Sequence, residues 1–155
     1  MTGSSKIEYH GTILMMSLTV LFEFSSSHRL FRPDLSDDEN YRIFGKCSNL
    51  HGHGHNYVLH VCVDGPIQPG TEMILDAGAL KTVVENIVVQ DVDHKDLNSD
   101  VPWLAGSITT AENVAHRIFE RLAPEIAGIE PGVQLYSVTL QETRRISVTV
   151  TRPIS

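Results

Sequence analysis

From Leu18 the chain alternates between apolar and polar residues. Leu18, Val20, Phe22 and Phe24 share one parity, with Thr19 and Glu23 on the other. A period of two predicts a half-buried strand. If the extended run continues past Ser26, His28 keeps the inward parity. A second alternating run over residues 55–64 places Tyr57, Leu59, Val61 and Val63 in phase with His53 and His55. Asp64-Gly65-Pro66 and then Pro69-Gly70 end it. The period then changes: Leu80, Val83, Val84, Ile87 and Val88 recur at helical spacing behind Asp76, a suitable N-cap. A second helix is signalled by the capping-box pattern Thr109-x-x-Glu112 and the stripe Ala111, Val114, Ala115, Ile118, Phe119 and Leu122, with Pro124 near its end. Two further alternating runs close the chain, Tyr136, Val138, Leu140 and then Ile146, Val148, Val150, joined around Thr143-Arg144-Arg145. Residues 32–46 hold Pro33 and four acidic residues between Asp34 and Glu39 without an apolar period, so they read as an exposed, mobile loop. Residues 91–98 read as a polar connection. Two strands, two helices and two strands predict one α+β domain over residues 15–155. Its antiparallel four-stranded sheet has both helices on one face and two edges open to association.

A chain of 155 residues fits one such domain with a proper core, and 41% hydrophobic with 20% charged residues is ordinary for a globular protein. The formal net charge of -7 argues against non-specific binding of nucleic acid or anionic membranes, which needs a basic footprint. It leaves room for a small anionic substrate, because Arg29, Arg32, Arg42 and Lys46 cluster in one part of the sequence. Two cysteines, Cys47 and Cys62, do not make a disulfide framework, and a reduced, cytoplasmic setting fits both. The apolar run 12–22 follows Lys6 and faintly resembles a signal-peptide core. It is too short to span a membrane and lacks a small-residue cleavage site, so a strand accounts for it better. Met15 and Met16 are alternative starts, which would make residues 1–14 a loosely ordered N-terminal extension.

The chemistry concentrates in Phe44-Gly45-Lys46-Cys47-Ser48-Asn49-Leu50-His51-Gly52-His53-Gly54-His55-Asn56-Tyr57. In an extended chain His53 and His55 project to one side and converge, and the glycines keep that point uncrowded. Two neutral imidazoles make half of a zinc site, and His28 is the best third ligand; three protein ligands leave a fourth position open, as in catalytic zinc sites. The competing reading is a flexible polar tract. Cys47 lies beside Lys46 and the histidines, the electropositive, partly open setting that stabilises a thiolate. Glu142 shares the parity of Val138 and Leu140, so its carboxylate faces the interior, where it needs a partner or a ligand.

Taken together the motifs resemble the 6-pyruvoyl-tetrahydropterin synthase / 6-carboxy-tetrahydropterin synthase family. The pieces are Phe24-Ser25-x-Ser27-His28-Arg29-Leu30, Gly45-Lys46-Cys47-x-Asn49 and Gly52-His53-Gly54-His55-Asn56-Tyr57. They continue with Asp93-His94-Lys95-x-Leu97, Thr110-Ala111-Glu112-Asn113 and Glu142-Thr143. They run in the family's order over nearly the whole chain. The resemblance implies the tunnelling fold (T-fold), with ββααββ subunits closed into a barrel by trimerisation and two trimers stacked as a homohexamer. It implies Zn2+ on His28, His53 and His55, catalysis by Cys47 with Asp93 and His94, and pterin binding by Glu142 with Thr110 nearby. It implies conversion of 7,8-dihydroneopterin triphosphate to 6-pyruvoyl-tetrahydropterin with loss of triphosphate, by a lyase of tetrahydrobiopterin biosynthesis. The 6-carboxy-tetrahydropterin synthase of the queuosine pathway and a non-catalytic zinc or pterin binder are the alternatives. His51 departs from the animal-like pattern, and some bacterial members use a spacing that Cys47, His51 and His53 would also satisfy, leaving the ligand register open by two residues.

Overall fold

The computed structural model describes residues 7–10, 12–14 and 16–153. Short strands β1 (Ile7–Tyr9) and β2 (Thr12–Leu14) pair antiparallel with each other. The remainder of the extension expected over residues 1–14 lies outside the described residues. The long strands are β3 (Ser17–His28), β4 (His53–Asp64), β6 (Gln134–Thr143) and β7 (Ile146–Thr151), which pair antiparallel in the order β3-β4-β6-β7. A fifth strand, β5 (Lys95–Asp96), adds to β3 in parallel at Ser26 and Ser27. It lies within the segment read from sequence as a polar connection. Two residues are too few to show an alternation.

One face of the sheet buries Val20, Phe22, Phe24, Leu59, Val61, Val63, Leu135, Val138 and Leu140 beneath two helices. The first helix begins as α2 (Ala77–Val84), capped by Asp76 as expected, whose carboxylate accepts the Gly78 N–H. It widens into a π-turn (Glu85–Val89) and ends as α3 (Gln90–Val92). Leu80, Val84, Val88 and Val92 are all buried and spaced by four. A plain α-helix would rotate such a series steadily off the core; the extra residue of the π-turn keeps it facing inward. The second helix is α4 (Ala111–Ala127), which packs on β6 and β7. Its N-cap is Thr110, not Thr109: the Thr110 hydroxyl accepts the Asn113 N–H, and Thr109 is buried for another purpose.

Two further expectations are corrected. Residues 32–46 contain a helix, α1 (Asp37–Phe44), followed by a 3-10 turn (Gly45–Ser48). The acidic run read as part of an exposed loop supplies a capping box, in which Ser36 and Glu39 satisfy each other's backbone N–H groups. The apolar Tyr41 and Ile43 of α1 are exposed, so no stripe betrays the helix. Buried Asn40 anchors it by accepting the Arg32 N–H and donating to the carbonyls of Arg32, Leu35 and Ser36. Tyr136 is 41% exposed and does not share the inward face with Val138. Cys62 pairs with Ser137 while Val63 pairs with Leu135, so Tyr136 is an extra residue in a bulge that inverts the parity of β6 below it.

Candidate metal centre

β3 and β4 are in register such that His28 lies directly opposite His53, and Ser26 opposite His55. The inward parity of both strands therefore delivers three imidazoles to one end of the sheet. Their ligand nitrogens lie within 4.8 Å of one another. Gly52 makes this approach possible: its φ of 68° is left-handed, and a Cβ there would come within 2.8 Å of the His28 carbonyl.

His28 is almost fully buried, at 1% exposure. Its Nδ1 lies 2.8 Å from the Thr109 carbonyl oxygen, which can only accept, so Nδ1 carries the proton and Nε2 presents a lone pair. Burial lowers its pKa from 6.5 to about 4, the Thr109 bond and more distant Asp96 opposing and the neighbouring His53 and His55 adding to the fall. Burial likewise lowers His53, with His55 adding to it and Glu142 opposing. The ring is thus held neutral, in the tautomer and protonation state that a metal ligand requires.

The donor set could hold a cation. His28 Nε2 and His53 Nε2 stand 3.1 Å apart, and the buried His53 Nδ1 has no hydrogen-bond partner. Either two lone pairs oppose each other, or His53 donates through Nε2 and strands a buried lone pair at Nδ1. A divalent ion among the three rings removes the repulsion. The Glu142 carboxylate, 17% exposed, lies 3.7 Å from His28 Nε2 and 3.6 Å from His55 Nε2, adding negative charge beside the group. Gln141 pairs with Ser147 and Thr143 with Ile146, so Glu142 is itself a bulged residue, on the same parity as buried Val138 and Leu140. Tyr57, stacked on Phe24 at 5.0 Å between centroids, floors the site. Burial first and then Glu142 push its phenol well above the ordinary range.

The other expected residues lie on segments adjoining β3 and β4, and they do not all meet. Exposed His51 sits in the turn before β4 and is not one of the three grouped imidazoles. Half-buried Cys47 lies in the 3-10 turn, hung from β3 through Leu30 N–H to the Cys47 carbonyl (2.8 Å) and Arg29 Nε to the Ser48 carbonyl (2.6 Å). Asp93 ends the helical segment 77–92; one oxygen accepts the Ser25 N–H at 2.9 Å and the other faces His94 Nδ1 at 2.9 Å. The Ser25 bond, then His94, holds its carboxyl below the usual carboxylate range. His94 has a left-handed backbone, φ 57°, and is 82% exposed. Among the described residues no hydrogen bond joins Cys47 to Asp93 or His94. A pocket of about 590 Å³ lies between the ends of β3 and β4 and this dyad, lined by Ser25, Ser27, His55, Asn56, His94 and Lys95 among others. Thr110 caps α4 beside the Thr109 carbonyl. That carbonyl, which fixes the His28 tautomer, was beyond sequence reasoning because backbone acceptors carry no residue signature.

Three imidazoles beside a carboxylate, on an α+β sheet with helices on one face, form a site that could hold a metal ion. The family model described as 6-pyruvoyl tetrahydropterin synthase matches residues 17–153. The 6-pyruvoyl tetrahydrobiopterin synthase of Pongo abelii is 47% identical over 120 residues, 77% of this chain and 80% of that protein. The solved Caenorhabditis elegans 6-pyruvoyl tetrahydropterin synthase is 35% identical with a TM-score of 0.80, covering 90% of this chain and 97% of that one. A 6-carboxy-5,6,7,8-tetrahydropterin synthase of Haemophilus influenzae is more distant, 29% identical over 128 residues, 70% of this chain and 82% of that protein. The chain belongs to the 6-pyruvoyl tetrahydropterin synthase family, and its fold is the T-fold of those enzymes. No helix among the described residues is long and apolar enough to cross a membrane.

Proposed function

We propose that the chain is a zinc-dependent carbon–oxygen lyase that converts 7,8-dihydroneopterin triphosphate to 6-pyruvoyl-tetrahydropterin. The observation that carries this reading is the convergence of His28, His53 and His55 with the Glu142 carboxylate at the same point. The reaction balances internally: two side-chain carbinol carbons are oxidised to ketones, the ring takes up two hydrogens, and the terminal carbon loses triphosphate and becomes a methyl group. No external oxidant is needed. His28, His53 and His55 would hold the zinc, which when bound supplies Lewis acidity towards the two adjacent side-chain hydroxyls. An all-imidazole donor set with no thiolate suits zinc.

The chain's own residues account for the rest. Glu142 accepts hydrogen bonds from the pterin's N–H and amino groups, so an analogue lacking them leaves a carboxylate unpaired. The Cys47 thiolate moves protons at the side-chain carbons. His94, oriented by Asp93 through its Nδ1, performs the complementary transfer through Nε2. Thr110 holds its loop beside the pterin. The exposure of His94, the lack of any bond from it to Cys47 and the open sheet edges support assembly into a homohexamer in which dyad and thiol meet across subunits. A cytoplasmic setting fits a free thiol in this role.

Turnover of 7,8-dihydroneopterin triphosphate by purified, zinc-replete protein tests the reading, with product analysis and a Cys47→Ala control. The expected result is a pyruvoyl product, lost on chelation and absent from the variant, which keeps its zinc. Acetaldehyde release with a carboxypterin would transfer the chain to the sister activity. Wild-type turnover by Cys47→Ala would remove the thiol from the mechanism.

A further inference from the structure

Beyond Asp96 the backbone pairing of β5 with β3 continues for one bond, from the Leu97 N–H to the Ser27 carbonyl at 2.8 Å, and then stops. The Asn98 side chain takes its place. Its Oδ1 accepts the Arg29 N–H at 2.7 Å, and its Nδ2 donates to the Arg29 carbonyl at 3.0 Å. One carboxamide thus engages both polar groups of a single residue, as a neighbouring strand would. The same Nδ2 reaches the Thr109 hydroxyl at 3.3 Å. Asn98 is in turn held by Asp96, whose carboxylate accepts its N–H at 2.7 Å.

The three segments joined there are the ones that carry the site. Arg29 follows His28, and the Thr109 carbonyl sets the His28 tautomer. Arg29 and Leu30 suspend the turn that bears Cys47. Asn98 itself closes the segment that opens with Asp93 and His94 and is tied to β3 at Ser25 and Ser27. We propose that Asn98 is a positioning residue that locks the His28 strand, the Cys47 turn and the Asp93–His94 segment into one register. It touches no reacting atom. Its donor half is indispensable: an aspartate of the same shape still accepts the Arg29 N–H but turns an acceptor towards the Arg29 carbonyl.

This proposal rests on the reading of Cys47, His28 and the dyad given above, and its test separates the two. Asn98→Asp and Asn98→Ala are compared with the parent in the full chain, with Cys62→Ser as background so that Cys47 is the one thiol. Circular dichroism and thermal unfolding report the fold. The visible spectrum of the cobalt(II)-substituted protein reports ligand geometry, and the alkylation rate of Cys47 by iodoacetamide in the metal-free protein reports the turn. In Asn98→Asp, folded as judged by circular dichroism, kcat falls about tenfold or more with KM little changed, the cobalt spectrum shifts and the alkylation rate moves severalfold. An unchanged cobalt spectrum and alkylation rate overturn the proposal, as does a loss of kcat no larger than the unfolded fraction. If Cys47→Ala retained turnover, the mechanistic reading would fail while the cobalt and alkylation measurements still decided the role of Asn98.

Discussion

Acidifying the metal-free protein tests the environment of His28. The ring is buried, its Nδ1–H is committed to the Thr109 carbonyl, and its pKa is lowered from 6.5 to about 4. Between those values the unfolded chain binds a proton that the folded one refuses. The contribution to stability is therefore complete above about pH 6.5 and is lost as the pH falls towards 4. Two and a half units at about 1.4 kcal/mol each give on the order of 3 kcal/mol. Local opening that admits water to the ring reduces the figure. The assay is urea unfolding of the metal-free protein at fixed concentration, from about pH 7.5 to pH 4.5, against His28→Asn, which lacks the titration. The difference between the two curves removes the carboxylates common to both. It should shrink with acidity by up to that amount, while nitrogen-labelled imidazole spectra show the Nδ1–H tautomer throughout. A flat difference, or a His28 midpoint in the ordinary histidine range, would refute the argument from burial.

Three other expectations are more direct. His53→Ala should lose the metal, since two imidazoles remain, whereas His51→Ala should retain it; metal analysis of the purified variants checks both, and the reverse result would shift the ligand register by two residues. Glu142→Gln should weaken binding of a free pterin about tenfold or more in titration calorimetry, because hydrogen bonds to a carboxylate are the stronger kind, with the unfolding midpoint hardly altered; equal affinity would end the anchoring role. Ser36→Ala should cost α1 about 1 kcal/mol, seen as roughly fivefold faster amide exchange in the last turn of that helix, and equal exchange would mean that Asn40 alone holds it.

The parts of this protein that could be read from residue order are those in which a side chain's periodicity is itself the cause of the structure. The alternation in β3 and β4 dictated inward faces, and it carried His28, His53 and His55 to the same side along with Phe24 and Tyr57. Asp76 announced its helix because capping is a local hydrogen bond. Reading failed where the cause was not periodic. α1 has no apolar stripe and stands on Ser36, Glu39 and Asn40; β5 exists because β3 offers it an edge; and Tyr136 is displaced by a bulge that only the pairing with β4 defines.

Residue order alone determined the inward alternation of β3 and β4, and with it that His28, His53 and His55 share one side of the sheet. Tertiary structure decided the rest: that His28 faces His53 across one rung and that a backbone carbonyl 81 residues away fixes its tautomer. It also decided that Glu142 stands within 3.7 Å of both His28 Nε2 and His55 Nε2, and that Asn98 stands in for a missing strand. The division has a physical basis. Burial is encoded residue by residue through hydrophobicity, whereas register, bulges and backbone acceptors arise only when distant segments satisfy one another's hydrogen bonds.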